Sequence, residues 1–321
     1  MKELVVGIDI GGTNTKFGFV DKFGNIFGES SSPTAGYPEF DDYLAQLHKQ
    51  VDAAKAFLEI ESKIVGVGIG APNGNYYQGT IEEASNLEWK GVVPFVEKMR
   101  KYFPEQPIVL TNDANAAAIG EMTFGAAKGM KDFIVFTLGT GLGSGIVANG
   151  EMIYGHDGFA GEIGHTIVNP NGRYCGCGRR GCLETYVSAT GIKRTVYKLL
   201  ADHTEDSSLR GVAFDKLTAK MITEAALEGD FIAIQAFEYT GKMLGLKIAD
   251  TVAHFSPEAI ILFGGLVNAG DHLMKPTRQY MESNMLNIYQ GKVKLLVSGL
   301  QQKNAAVLGA ASLAWQKLDG E

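Results

Sequence analysis

The chain has 321 residues, 45% of them hydrophobic and 20% charged, which excludes extended disorder and, at this length, points to two domains or lobes. A net charge of −7 argues against a general nucleic-acid or anionic-membrane binder, although a few backbone amides still suffice to hold phosphate locally. No run approaches the roughly 20 apolar residues of a membrane span, and Val5-Val6-Gly7-Ile8 meets Asp9 at once, so no leader is read and a cytoplasmic chain is expected.

In chain order, the apolar run at residues 4–10 predicts a strand. A glycine-bearing turn follows, then strands over 16–20 and from Ile26, separated by the polar turn Asp21-Lys22-Phe23-Gly24-Asn25. Apolar residues at helical spacing predict an amphipathic helix over 39–60. Residues 64–69 read as a strand ending at Gly70-Ala71-Pro72-Asn73-Gly74, and 107–111 as another ending at Asn112-Asp113, with a helix over 114–122. The grammar then restarts: strand 133–138, the loop Gly139-Thr140-Gly141-Leu142-Gly143, strand 144–148 and the turn Asn149-Gly150-Glu151. Laid over the opening, Asp9 falls opposite Thr137 and Gly11 opposite Gly139, which suggests duplicated lobes. Residues 155–185 are glycine-rich and aperiodic, hence loops. Helices are predicted over 188–202, 215–228, 230–253 and 304–317, with a strand over 259–263 ending in Gly264-Gly265. Alternating strands and helices define an α/β class.

Two glycine loops are the first chemical signal. Glycine brings backbone N–H groups close to a ligand, and successive amides in one concavity make an anion site. Thr13 adds a hydroxyl and Lys16 a charge, and Asp9 suits an outer-shell Mg²⁺ ligand; ordinary hairpins are the plainer alternative. Asp113, just after a strand, reads equally from spacing as a general base in a cleft or as a helix N-cap. Cys175, Cys177 and Cys182 fall within eight residues, too few and too close for a disulfide framework. With His165 they form a complete tetrahedral zinc set, structural in kind because four protein ligands leave no open position. Free buried cysteines and a surface histidine are the alternative.

The segment Asp9-Ile10-Gly11-Gly12-Thr13-Asn14-Thr15-Lys16 resembles the opening phosphate signature of the ROK family (repressor, open reading frame, kinase), within the actin/hexokinase superfamily. The resemblance spans essentially the whole chain, and the cysteine–histidine spacing matches the family's zinc motif residue for residue. It implies a two-lobed, actin-like ATPase (ribonuclease H-like) α/β fold with ATP and sugar in the interlobe cleft. A smaller lobe is expected over 1–112, joined by the C-terminal helix at about 304–321, and a larger one over 113–303 carrying the zinc loop. ATP would meet Asp9, Gly11, Gly12, Thr13, Lys16, Gly139, Thr140 and Gly141, with Gly264 and Gly265 near the adenosine. Asp113 would be the catalytic base, helped in binding sugar by Asn86, Asn112, Glu162, His165 and Glu184. Zinc on one ring nitrogen of His165 would leave the other as a donor; without the resemblance Glu162 and Glu184 read as solvated loop residues.

The implied activity is transfer of a phosphoryl group from MgATP to a hexose, glucose first, at O6, with fructose, mannose, allose, N-acetylglucosamine and N-acetylmannosamine as alternatives. A homodimer or homotetramer is a family expectation. Two departures concern the sugar rim: Glu88 replaces the usual proline after Asn86-Leu87, and Asn73-Gly74 departs from the commoner alanine-proline-glycine form. Family repressors carry a helix-turn-helix module ahead of the first phosphate loop, whereas here eight residues precede Asp9 and the charge is acidic, so the repressor reading is disfavoured. A non-enzymatic sugar sensor would require a damaged phosphate loop or a missing base. A polyphosphate-using kinase would require a basic groove.

Overall fold

The computed structural model describes residues 1–300 and 305–320. Strands β1 (Lys2–Ile10), β2 (Asn14–Val20) and β3 (Ile26–Pro33) lead to helix α1 (Phe40–Ala56) and strand β4 (Ser62–Ala71). Short strands β5 (Gly74–Asn75), β6 (Thr80–Glu82) and β7 (Val92–Val93), helix α2 (Phe95–Met99), strand β8 (Ile108–Asn112) and helix α3 (Asp113–Phe124) follow. Then come β9 (Phe133–Leu138), β10 (Leu142–Ala148), β11 (Glu151–Met152), α4 (Ala189–Asp202), α5 (Ala219–Leu227), α6 (Phe231–Phe255), β12 (Ala259–Phe263), α7 (Asp271–Asn284), β13 (Lys294–Val297) and α8 (Ala305–Asp319).

The chain divides into two compact units. The first comprises Met1–Gly129, Met152–Ala160 and Gly299–Glu321; the second comprises Met130–Glu151 and Gly161–Ser298. The first unit thus extends past the expected boundary at residue 112, because α3 packs on α8 through small residues: a Cβ on Gly120 would lie 3.2 Å from the Gly309 Cα. Helix α8 is in this unit, and Asn304 of the predicted tail helix lies outside the described residues.

The first unit's main sheet has the order β3-β2-β1-β4-β8, with β1 antiparallel to β2 and parallel to β4. Its β1 is buried almost throughout, as the unbroken apolar run requires of a strand covered on both faces. Leu4, Val6, Ile8 and Ile10 join Phe17 and Phe19 in a core with Tyr43, Leu47 and Val51 of α1. On the other face Gly7 and Gly68 let α8 approach until its Val307 and Ala310 carbonyl oxygens occupy the space a side chain would fill. The second unit repeats the plan: order β11-β10-β9-β12-β13, β9 antiparallel to β10 and parallel to β12. Asp9 pairs with Gly70 of β4 as Thr137 pairs with Phe263 of β12, so the alignment drawn from sequence corresponds to equivalent sheet positions.

Helix α7 and strand β13 were not predicted. Pro276 lies inside α7, where a proline normally argues against a helix, and β13 has four residues. The predicted helix over 215–228 begins four residues later, where the Thr218 hydroxyl caps it by accepting from the Met221 N–H at 3.2 Å. Among the described residues no helix is long and apolar enough to cross a membrane.

Candidate active site

In the first unit, Asp9 is the penultimate residue of β1, beside the loop Gly11-Gly12-Thr13, whose turn closes by the Gly11 N–H donating to the Asn14 carbonyl at 3.1 Å. Burial, then the nearby Asp113 charge, push the Asp9 carboxyl up to about 6, and Lys16 pulls the other way. Lys16 stands opposite Asp9 in the β1–β2 pair, and the Asp113 Cα lies 3.6 Å from where a Cβ on Gly70, the β4 partner of Asp9, would stand, so three groups the sequence reading placed at one site are neighbours. Asp113 is the first residue of α3, and the N-cap is Asn112, whose Oδ1 accepts from the Ala114 N–H at 2.8 Å. The capping alternative for Asp113 therefore passes to its neighbour, although Asp113 Oδ1 shares that N–H at 2.8 Å. The Asp113 side chain is open to solvent by surface area, yet the protein atoms crowding it hinder hydration of its charge and raise its pKa. The crowding governs its acidity, because a carboxylate is stabilised by layers of water beyond the first contact.

Asn86 stands directly behind the first glycine loop. A Cβ on Gly12 would lie 2.7 Å from the Asn86 carbonyl oxygen and 3.6 Å from its amide nitrogen. The Asn86 loop is held by Lys90, whose ammonium donates to the Leu87, Ala84 and Ser85 carbonyls at 2.6, 3.3 and 3.4 Å. Both departures from the family pattern have local explanations. Glu88 accepts from the Gly36 N–H at 2.9 Å, fastening the segment to the β3–α1 connection. Asn73 takes φ +50, the left-handed conformation glycine would otherwise supply, and donates to the Glu82 carbonyl at 2.9 Å.

In the second unit, Gly139, Thr140 and Gly141 form the β9–β10 turn, closed by the Gly139 N–H donating to the Gly141 carbonyl at 3.0 Å. At the place of Asp9, the Thr137 hydroxyl accepts from the Gly143 N–H at 3.2 Å. The start of α4 abuts this turn: the Ala189 N–H donates to the Gly139 carbonyl at 2.9 Å. Glu184 also reaches it, its Oε2 accepting from the Leu142 N–H at 3.0 Å and occupying the space beside Gly141. Gly264 adopts φ +114 at the end of β12, and Gly265 has open space where a Cβ would stand. Glu162 is exposed at the start of the turn Ile163–His165, which Ser144 steadies by accepting from the Ile163 N–H at 3.3 Å.

The ligand atoms of His165, Cys175, Cys177 and Cys182 all lie within 4.8 Å of one another. Cys175 Sγ is 3.6 Å from His165 Nδ1, and Cys177 Sγ is 3.6 Å from Cys182 Sγ. A tetrahedral zinc with bonds of about 2.3 Å sets its ligands about 3.7 Å apart, so the four residues fit such an ion. The contact through Nδ1 leaves Nε2 of His165 for a ligand. Glycines at φ +84 (Gly178) and +77 (Gly181) fold the loop, and Arg179 donates to the His165 carbonyl at 3.0 Å. Glu184 Oε1 lies 3.8 Å from Cys175 Sγ, linking this cluster to the second glycine loop.

Sequence reasoning passed over Lys90 and Arg173, long cations whose targets are mostly main-chain carbonyls and which carry no motif. It also passed over the stacked pair Tyr76–Tyr154, ring centres 4.1 Å apart, which anchors the segment Met152–Ala160 to the first unit.

Comparison with known proteins gives this geometry a lineage. The sequence profile of the ROK family matches residues 5–317. A glucokinase from Halalkalibacterium halodurans is 36% identical over 97% of this chain and 95% of its own length. The crystal structure of a ROK family glucokinase from Streptomyces griseus, in complex with glucose and AMPPNP, superposes with a TM-score of 0.82 at 33% identity, covering 98% of this chain and 99% of that one. A ROK family transcriptional regulator, a homologue of the Escherichia coli MLC protein, superposes at 0.89 with 25% identity, covering 99% of this chain and 79% of the regulator. The chain therefore belongs to the ROK family and has its two-lobed α/β sugar-kinase fold.

Proposed function

We propose that this protein is an ATP-dependent hexose kinase, with glucose as its first substrate and glucose 6-phosphate as the product. The observation that carries the reading is the grouping of Asp113, Asp9 and Lys16 by a glycine turn in the first unit, Lys16 opposite Asp9 and Asp113 against Gly70, the β4 partner of Asp9. Full-length similarity to glucokinases supports it.

A sugar hydroxyl is a weak nucleophile, so a carboxylate that takes its proton as the P–O bond forms speeds transfer. Asp113 is assigned that role, because its raised pKa makes it a stronger base than an ordinary aspartate. Asp9 would hold the magnesium of MgATP through water, and Lys16 would offset the negative charge of the phosphates. The amides of Gly11, Gly12 and Thr13, and of Gly139, Thr140 and Gly141, would receive the phosphate oxygens, with Gly264 and Gly265 by the adenosine. Asn86, Asn112, Glu162, His165 and Glu184 would hold the hexose hydroxyls. Zinc, when bound, supplies order to a loop with few apolar side chains and fixes the His165 tautomer.

The test is an assay of sugar phosphate formed from glucose, mannose, fructose, allose, N-acetylglucosamine and N-acetylmannosamine, with ATP and polyphosphate as alternative donors. Turnover highest on glucose with ATP is expected. Sugar phosphate formed from none of the sugars with either donor would remove the kinase reading and leave the family's regulatory branch, to which the MLC homologue belongs.

A further inference from the structure

The Cys₃His loop carries few apolar side chains, so a metal alone leaves its direction relative to the rest of the unit unspecified. Arg173, two residues ahead of Cys175, supplies that direction. Its guanidinium donates to the Thr185 carbonyl at 2.7 Å, the Gly191 carbonyl at 2.9 Å and the Thr195 hydroxyl at 2.9 Å. The guanidinium carbon lies 4.5 Å from the Tyr186 ring centre, and the Tyr186 hydroxyl accepts from the Arg173 backbone N–H at 3.1 Å. One side chain thereby joins the metal loop, the turn Leu183–Thr185 that carries Glu184, and the first turns of α4.

Both of the joined elements run on to the second glycine loop. Glu184 accepts from the Leu142 N–H, and the Ala189 N–H at the start of α4 donates to the Gly139 carbonyl. We propose that Arg173 is a positioning residue that makes the second glycine loop depend on the Cys₃His loop, so that the metal loop governs nucleotide affinity as well as hexose affinity. The naming of the two ligands rests on the kinase reading; the mechanical link does not. A planar fork with several fixed donors is what three separated acceptors require, and a lysine ammonium lacks that fork.

The experiment compares zinc-loaded wild type with Arg173→Lys and Arg173→Met. Hydrogen exchange at residues 139–143 and 183–191 should accelerate, while α6 and α7 keep their protection. Zinc release to a colorimetric chelator should be faster, and affinities for a non-hydrolysable ATP analogue and for glucose should each fall, by about 10- to 100-fold in Arg173→Met. Arg173→Lys should fall between, with kcat changing less than either KM in both variants. Unchanged exchange at residues 139–143 together with unchanged zinc release overturns the proposal, even if the melting temperature drops. Accelerated exchange and zinc release in a protein that phosphorylates no hexose would sink the kinase reading and leave the coupling standing. If circular dichroism shows Arg173→Met unfolded, Arg173→Lys, which keeps the charge and much of the stem, carries the same measurements.

Discussion

The two halves share a strand plan but support their glycine loops by different means. The first loop leans on Asn86, which belongs to a small sheet region fastened to an apolar core by Trp89, itself almost fully buried. The second leans on Glu184, which belongs to a segment held by a metal-ligand cluster and by α4. In each half the residue filling the space behind the loop is one assigned to the sugar. The position that holds Asp9 in the first half holds Thr137 in the second. A repeated frame thus carries unequal chemistry: the first half brings Asp9 and Asp113 to its glycine loop, and the second sets Glu184 between its loop and a Cys₃His cluster fit for a metal.

Four measurements would break or sharpen that contrast. Asp113→Ala should lower kcat by about 10²- to 10⁴-fold while glucose binding by calorimetry persists; near-normal turnover would remove the base from the first half. Cys177→Ser should next reduce both thermal stability and glucose affinity, and metal analysis of wild type should find about one zinc per chain. A Cys177→Ser protein with unaltered melting and affinity would show that the second half is ordered without metal.

The glycines offer a finer test. Gly12→Ala would set a methyl group 2.7 Å from the Asn86 carbonyl oxygen, so it should lower stability by about 1–3 kcal/mol and raise KM for glucose. Gly139 has nothing within 4 Å of its would-be Cβ, so Gly139→Ala should leave the melting temperature unchanged and weaken nucleotide binding alone. Equal melting temperatures for the two variants would contradict the difference in backing.

The smallest effect concerns pH. Asp9 titrates at about 6 in the folded protein against 3.8 unfolded. The folded state therefore binds more protons between those values, and this group's contribution to stability is lost as pH rises through about 6. Asp113→Asn removes the repelling charge, so the Asp9 midpoint should fall below about 6 and the stability change between about pH 4 and pH 7 should shrink. Carboxyl-carbon NMR of Asp9 checks the midpoint; an unmoved value would separate the two aspartates.

Much of this was legible in residue order. The strands at 4–10, 64–69, 133–138 and 259–263 are apolar runs between glycine turns, and the Cys₃His spacing places its ligands within a short chain whose glycines allow it to wrap. These are local properties, set by chain connectivity and side-chain size. Helix α7 was not legible, because what stabilises it lies elsewhere: Gly241 and Gly245 of α6 admit its Pro276 and Thr277 at backbone distance. The contact of Asn86 with Gly12, the hold of Glu184 on Leu142, and the roles of Lys90 and Arg173 likewise join residues distant in sequence or acceptors that every residue carries. A main-chain carbonyl has no letter in a sequence, so the side chains that bind carbonyls become visible only when folding brings the two together.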